Sequence, residues 1–193
     1  MAMKNFLYLD CETTGFDASS SEITMIAYAS FKITSEGSIE MLYSLKQLNS
    51  WENPDGEKGI IQDFFKKTRL SEIWEDAPVG FNLPFDVNML IKRAEFHKIQ
   101  NNLNFEAIFN NKQRIDLRVI GVLMFRGSFF GSGLNNICGK QGTGKDAVMY
   151  YNTKQFQKLK DYNHQEYIEF MKFLNFLLKK MPLLLDDFKK NKW

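Results

Sequence analysis

The chain has 193 residues, of which 44% are hydrophobic and 25% are charged, and its formal net charge is +2. This composition is typical of one soluble globular domain. The near-neutral charge argues against extensive coating of nucleic acid but leaves room for a local basic groove. Cys11 and Cys138 are too few for a disulfide framework, and no uncharged apolar run approaches a membrane span. We therefore expect a single domain over residues 1–193, a reducing cytoplasmic location and no membrane partner.

The first part of the chain predicts three strands. Residues 6–10, FLYLD, are a short apolar run that is typical of a buried strand and ends in a carboxylate. Residues 22–33 and 38–45 follow as the second and third strands. Residues 35–37 contain a glycine and favour a hairpin turn between these two strands.

The middle of the chain alternates helices with a further strand. Apolar residues at helical spacing predict a helix over residues 59–70. Residues 77–82, APVGFN, indicate a short fourth strand. Pro84 suits the first turn of a helix, which we expect over residues 84–98.

Two more helices are expected after a glycine-rich stretch. Residues 132–138 are typical of a short helix that Ser132 caps and Gly139 ends. A last helix is predicted over about residues 163–180, and its apolar stripe contains Phe170, Leu174 and Leu177. A short meander followed by alternating helices and strands predicts an α/β three-layer fold with a mixed central sheet.

Two carboxylates lie at the end of the first predicted strand. Alternate residues of a strand face the same side, so Asp10 and Glu12 project together while Cys11 points the other way, into the core. Neighbouring like charges repel unless a cation neutralises them, and oxygen ligands suit Mg²⁺ or Mn²⁺. The alternative is that the pair only ends a strand and starts a turn.

Three further polar segments accompany this pair. Asp86 falls in the first turn of a predicted helix, where it could also serve the helix N-terminus. Asn82 precedes that helix and is either a site residue or a turn residue. Tyr162 and Glu166 are four residues apart and share one face of the last helix, as an exposed structural pair would also do.

The order and spacing of these segments resemble the DEDD superfamily of 3′–5′ exonucleases, which has the ribonuclease H-like fold. Asp10 and Glu12 match the family's first motif, and Asp86 matches the second. Tyr162 with Glu166 is similar to the third motif of the tyrosine branch, except that Glu166 stands where the family has Asp. That branch includes the proofreading domain of family B DNA polymerases and its stand-alone relatives.

The third motif has a second possible register. His164 and Glu169 have the separation of the histidine branch. In that register Glu166 would occupy the position of a small residue, so the tyrosine branch is preferred. Neither register contains Asp.

The resemblance implies hydrolysis of phosphodiester bonds at single-stranded 3′ ends, with release of nucleoside 5′-monophosphates. It implies two divalent metal ions, Mg²⁺ or Mn²⁺, with Asp10, Glu12, Asp86 and Glu166 as ligands. Tyr162 would hydrogen-bond the attacking water. The implied partner is a single-stranded DNA or RNA 3′ end, and a polymerase or another replication or repair protein is a further one.

Several residues are predicted to contact the nucleic acid. Phe16 and Phe85 could stack on bases, although core packing competes for any single ring in a chain with 18 Phe. Glycines next to Lys140 and Lys145 would let these lysines approach phosphates. The full set of predicted contacts is Thr13, Phe16, Asn82, Phe85, Lys140 and Lys145.

Other functions stay open at this point. The stretch GKQGTGK at 139–145 fits the start of a P-loop, but Asp146 stands where a P-loop has Ser or Thr, and a helix rather than a strand is predicted before it. Glu166 motivates a catalytically impaired nucleic-acid-binding module on the same fold. A purely structural or interaction protein is the remaining alternative.

Overall fold

A mixed sheet of five strands lies at the centre of the computed structural model, which describes residues 5–68, 76–99, 112–139 and 141–191. The strands are β1 (Asn5–Thr13), β2 (Ile23–Ile33), β3 (Ile39–Asn49), β4 (Ala77–Gly80) and β5 (Ile115–Asp116). Their order is β3-β2-β1-β4-β5, in which β2 is antiparallel to both its neighbours and β4 is parallel to β1 and β5. The four predicted strands are confirmed.

Helices cover both faces of this sheet. They are α1 (Gly56–Lys67), α2 (Leu83–Phe96), α3 (Leu117–Met124), α4 (Leu134–Cys138), α5 (Gly144–Asn152) and α6 (Phe156–Asn191). Buried apolar residues of α1 and α2 pack in one core cluster, and a second cluster contains buried apolar residues from each of α3, α4 and α6. The predicted α/β three-layer fold with a mixed central sheet is therefore confirmed.

The pleat of β1 separates these two clusters. Leu7, Leu9 and Cys11 pack with the side of the sheet that α1 and α2 cover. Tyr8 points to the opposite side, where its ring lies 4.7 Å from the ring of Phe170 in α6. Because side chains alternate along a strand, Asp10 and Glu12 belong to the α6 side of the sheet.

The ends of two helices differ from their predicted positions. Helix α1 begins at Gly56, inside a segment with loop composition, and ends at Lys67. Helix α6 runs from Phe156 to Asn191 rather than over 163–180, and Pro182 lies inside it. At its start, the ring of Phe156 stacks on Trp51 at 4.6 Å, a tertiary contact that local periodicity does not report.

The cap predicted for the short helix α4 is wrong. Its N-cap residue is Gly133, while the Ser132 hydroxyl donates instead to the carbonyl oxygen of Phe129 at 2.9 Å. The predicted stop is confirmed, because Gly139 ends the helix with a φ of 76°, a left-handed conformation that glycine adopts at no steric cost.

Both cysteines are free thiols, and Cys11 is buried. No helix in the described part of the chain combines the length and the apolar character that crossing a bilayer requires.

Candidate functional site

A cleft of about 410 Å³ opens where the end of β1 meets α2, α5 and α6. The five residues predicted to be catalytic all line it: Asp10, Glu12, Asp86, Tyr162 and Glu166. They come from three elements that are far apart in sequence, so their convergence is a property of the fold.

Three of these carboxylates form a cluster. Asp10 and Glu12 come from β1, and Glu166 comes from α6. Each offers one oxygen atom, and these atoms all lie within 4.8 Å of one another. Carboxylate oxygens that converge at this distance match the ligand set of a hard divalent cation such as Mg²⁺ or Mn²⁺.

Asp86 reaches the same cleft from the first turn of α2 and is only 3% exposed. Strand β4 pairs with β1 no further than Tyr8, and the Cys11 N–H beyond that point donates to Asp86 Oδ1 at 2.9 Å. Burial raises the pKa of Asp86 well above its ordinary value of 3.8. The Cys11 hydrogen bond opposes the rise, and the charges of Glu166 and Glu12 add to it.

The close approach of β4 to β1 places Asp86 there. A Cβ atom on Gly80 would lie 2.8 Å from the carbonyl oxygen of Leu9, so this position has no room for a larger residue. Asn82 then turns the chain into α2 with a φ of 66°. Its N–H donates to Asp116 Oδ1 at 2.8 Å, and its Oδ1 accepts from Arg118 Nη1 at 2.9 Å.

Tyr162 lies one turn before Glu166 on α6. Burial raises the pKa of its hydroxyl, and the negative charges of Glu166, Glu12 and Asp10 raise it further. The hydroxyl therefore stays protonated at physiological pH and can donate a hydrogen bond, but it does not act as a base.

Sequence reasoning missed Asn163, which does not line the cleft but contacts two of the carboxylates that do. It is fully buried, and its Nδ2 donates to Asp10 Oδ2 at 2.7 Å and to Glu12 Oε1 at 3.3 Å. Gln47 of β3 donates from Nε2 to Asn163 Oδ1 at 3.0 Å. A signal was present, because Asn163 is a polar residue seven positions before Phe170 on the otherwise apolar stripe of this helix.

The alternative register of the third motif does not reach the cleft. His164 is exposed. Glu169 is buried elsewhere on α6, where it accepts from Gln165 Nε2 at 2.7 Å and from Lys172 Nζ at 2.8 Å. The fold brings Tyr162 and Glu166 to the carboxylate cluster instead.

Most residues predicted to contact nucleic acid also line the cleft. These are Thr13, Phe16, Asn82, Phe85 and Lys145, whereas Lys140 lies outside the described residues. Phe16 is 85% exposed, and its ring meets the edge of Phe85 at 6.1 Å. Core packing therefore does not account for Phe16, while Phe85 packs partly against the core.

The glycine-rich stretch before α5 differs from a P-loop. Helix α4 precedes it directly, so the strand that a P-loop requires is missing from this described segment. Asp146 Oδ2 accepts from the Thr143 N–H at 2.7 Å and forms part of a capping box at the start of α5. Asp146, which departs from the P-loop pattern, therefore caps helix α5.

No protein-family model and no curated protein matches the chain. Solved structures of exonuclease I are similar to it at low identity. Product-bound exonuclease I has a TM-score of 0.45 and 15% identity over 64% of this chain and 32% of that chain. The zinc-bound E. coli enzyme with single-stranded DNA has a TM-score of 0.43 and 15% identity over 64% and 30%. The chain thus spans about a third of those chains, and similarity at this level does not carry an activity between proteins.

Proposed function

We propose that the protein is a metal-dependent 3′–5′ exonuclease that hydrolyses phosphodiester bonds at single-stranded nucleic-acid ends. The observation that carries this proposal is the convergence of Asp10, Glu12 and Glu166 within 4.8 Å, in a cleft that Asp86 and Tyr162 also line. Carboxylates clustered this closely repel one another, and such an arrangement is useful where cations bind a phosphate. We further propose that residues 1–193 form one domain of this type, in the cytoplasm.

The proposed ligands of two divalent cations, Mg²⁺ or Mn²⁺, are Asp10, Glu12, Asp86 and Glu166. When bound, such cations supply Lewis-acid activation of water and neutralise charge on the phosphate. The protein's own residues hold the reactants in place. Asn163 fixes the orientation of Asp10 and Glu12 through its amide, and Tyr162 donates a hydrogen bond that orients the attacking water oxygen.

The shape of the cleft favours an unpaired strand end. Phe16 and Phe85 present adjacent rings at its edge, on which an exposed base can stack. Lys145 also lines the cleft and is exposed, so it can approach the phosphate backbone. A duplex end keeps its bases paired and stacked, so it would have to fray before it could use these rings.

Digestion of 3′-labelled and 5′-labelled single strands of DNA and RNA tests this proposal. With Mg²⁺ or Mn²⁺, we expect a 3′ label to leave as a mononucleotide while a 5′-labelled strand shortens stepwise. Asp10→Ala should lower the rate by at least about a hundredfold, because it removes a proposed ligand of the cations that neutralise charge on the phosphate. Asp161→Ala is the matched control, since Asp161 is exposed on α6 outside the cleft lining.

The same assay separates the remaining functions. Shortening that survives Asp10→Ala would contradict the proposed site. Strand binding without shortening in either metal would instead identify an impaired binding module. Glu166→Asp tests that second case, because it restores the residue of the DEDD pattern and should raise the rate if the longer side chain impairs metal binding.

A further inference from the structure

One segment beside the cleft has an unusual charge pattern. Residues 117–145 contain no Asp or Glu. They contain four basic residues, Arg118, Arg126, Lys140 and Lys145. Four basic residues and no acidic residue give this segment a formal charge of +4, compared with +2 for the whole chain. Its charge is complementary to a phosphate backbone.

The loop between α3 and α4 presents two aromatic rings to solvent. Phe129 is 70% exposed, and Phe130 is 93% exposed. The loop is hydrogen-bonded internally, since Ser128 Oγ donates to the Phe130 carbonyl at 3.1 Å and Ser132 Oγ donates to the Phe129 carbonyl at 2.9 Å. The rings are therefore held outward by a defined backbone, and solvent exposure of both is unfavourable unless a ligand covers them.

The Arg118 side chain contacts both this loop and a residue of the cleft. The guanidinium carbon of Arg118 lies 5.9 Å from the centroid of the Phe129 ring. The same side chain donates to Asn82, which lines the cleft. At the other end of the segment, Gly144 and Lys145 line the cleft directly. Both ends of the acid-free segment thus border the proposed site.

We propose that Phe129 and Phe130, with Arg118 and Arg126, form a binding surface for the part of a single strand that lies 5′ of the end held in the cleft. Exposed rings can stack on unpaired bases of any sequence, and guanidinium groups bind phosphate oxygens. This inference rests on the proposed function, because it assigns the path of that substrate.

A protein partner is the other ligand that exposed apolar groups suggest. Leu123 and Met124 on α3 are also exposed. An apolar protein contact would use these aliphatic side chains as well as the rings. Stacking on bases depends on the rings alone, and the absence of acidic residues favours a polyanion. The two ligands therefore differ in which side chains they need.

Fluorescence anisotropy of labelled oligothymidylate in EDTA tests the surface without any cleavage. The double variant Phe129→Leu with Phe130→Leu keeps apolar volume and removes both rings, and it should weaken binding about fivefold or more. Phe188→Leu is the matched control. Phe188 is 60% exposed and lies 22 residues beyond Glu166 on α6, about 33 Å along the helix, so binding should be unchanged.

Salt dependence tests the cations separately. Arg126→Gln should reduce the slope of log affinity against log salt by about 0.7, the value for one phosphate contact on a single strand. Lys189→Gln, on the exposed end of α6, should leave the slope unchanged.

Any of three binding results would contradict the proposed binding surface. These are no binding of single strands by the wild type, binding by the double Leu variant as tight as that by the wild type, or a loss of affinity in Leu123→Ala as large as that in the double variant. Self-association that sedimentation detects in the wild type, and that the double variant loses while strand binding persists, would identify a protein contact and also overturn it. Strand binding is measured in EDTA, independently of the digestion assay. If the protein binds strands but does not shorten them with Mg²⁺ or Mn²⁺, the proposed exonuclease activity is refuted and the proposed binding surface is not.

Discussion

Asn163 determines how two negatively charged side chains can sit side by side in the cleft. Its buried amide donates to Asp10 at 2.7 Å and to Glu12 at 3.3 Å. The donor from Gln47 occupies the amide oxygen of Asn163, so the nitrogen faces the carboxylates. The pair is therefore held in one orientation before any cation binds.

We expect Asn163→Leu to lower the affinity for Mn²⁺ by about 10- to 100-fold, because residues that orient metal ligands typically contribute this much. Isothermal titration with Mn²⁺ measures the affinity directly, and a thermal melt in EDTA checks that the variant folds.

Two variants of Gln47 provide the control. Gln47→Met removes the donor to Asn163, whereas Gln47→Glu offers only acceptors and should turn the Asn163 amide oxygen towards Asp10. We expect a larger loss of Mn²⁺ affinity in Gln47→Glu than in Gln47→Met. Equal affinities in both variants and the wild type would show that the amide orientation does not matter.

At the scale of elements, Glu57 joins α1 to α2 and to β2. It accepts from Arg93 Nη2 at 2.6 Å, lies 2.6 Å from His97 Nε2, and accepts from the Ile23 N–H at 2.6 Å. Burial acts to raise the pKa of Glu57, but the hydrogen bonds from Arg93, His97 and Ile23 outweigh it, and the pKa is lowered from its ordinary 4.5. The folded state therefore favours the charged form.

This shift predicts how stability depends on pH. A lowered pKa contributes stability that is fully present above 4.5 and is lost as the pH falls through the folded-state pKa. Glu57→Gln should reduce the free energy of unfolding by about 3–5 kcal/mol at neutral pH, since it leaves Arg93 buried without its counter-charge. The difference between wild type and variant should narrow below pH 4.5.

Urea denaturation at a series of pH values measures this difference. Asp63→Asn is the matched control in the same helix, because Asp63 forms an exposed ion pair with Lys67 at 3.0 Å. It should cost less than about 1 kcal/mol. If the difference in the free energy of unfolding between wild type and Glu57→Gln stayed constant below pH 4.5, the lowered pKa of Glu57 would be contradicted.

At the scale of the whole molecule, the fold holds like charges together at a free-energy cost. Asp10 and Glu12 come from β1, and Glu166 comes from α6, which packs on one face of the sheet. Because a cation that binds only the folded state stabilises it, Mn²⁺ should raise the melting temperature. The expected gain is about 2.7 kcal/mol at a hundred times the dissociation constant.

Differential scanning calorimetry with and without Mn²⁺ measures this gain. Glu166→Gln should reduce the shift strongly, whereas Glu169→Gln should keep it, because Glu169 is buried on the same helix outside the cleft. If Mn²⁺ raised the melting temperature of Glu166→Gln as much as that of the wild type, Glu166 would not be a metal ligand.

Prediction from sequence succeeded where the signal is local. The strand at β1 and the stripe of Phe170, Leu174 and Leu177 follow from the spacing of apolar residues, and all three stripe residues are buried. The start of α6 was predicted seven residues late, because its first turn is stabilised by Phe156 stacking on Trp51. Such a contact between distant residues leaves no trace in the local pattern.

The sequence by itself determined which residue types stand at which spacing: two carboxylates on one face of a strand, and a tyrosine and a glutamate on one face of a helix. Only the tertiary structure decided that these faces meet and that Asn163 lies between them. Asn163 and Asp10 are 153 residues apart in the chain, and their contact depends on how α6 packs across β1. Backbone periodicity acts over a few residues, whereas packing of buried side chains brings distant segments together, so the candidate site is a product of the packing.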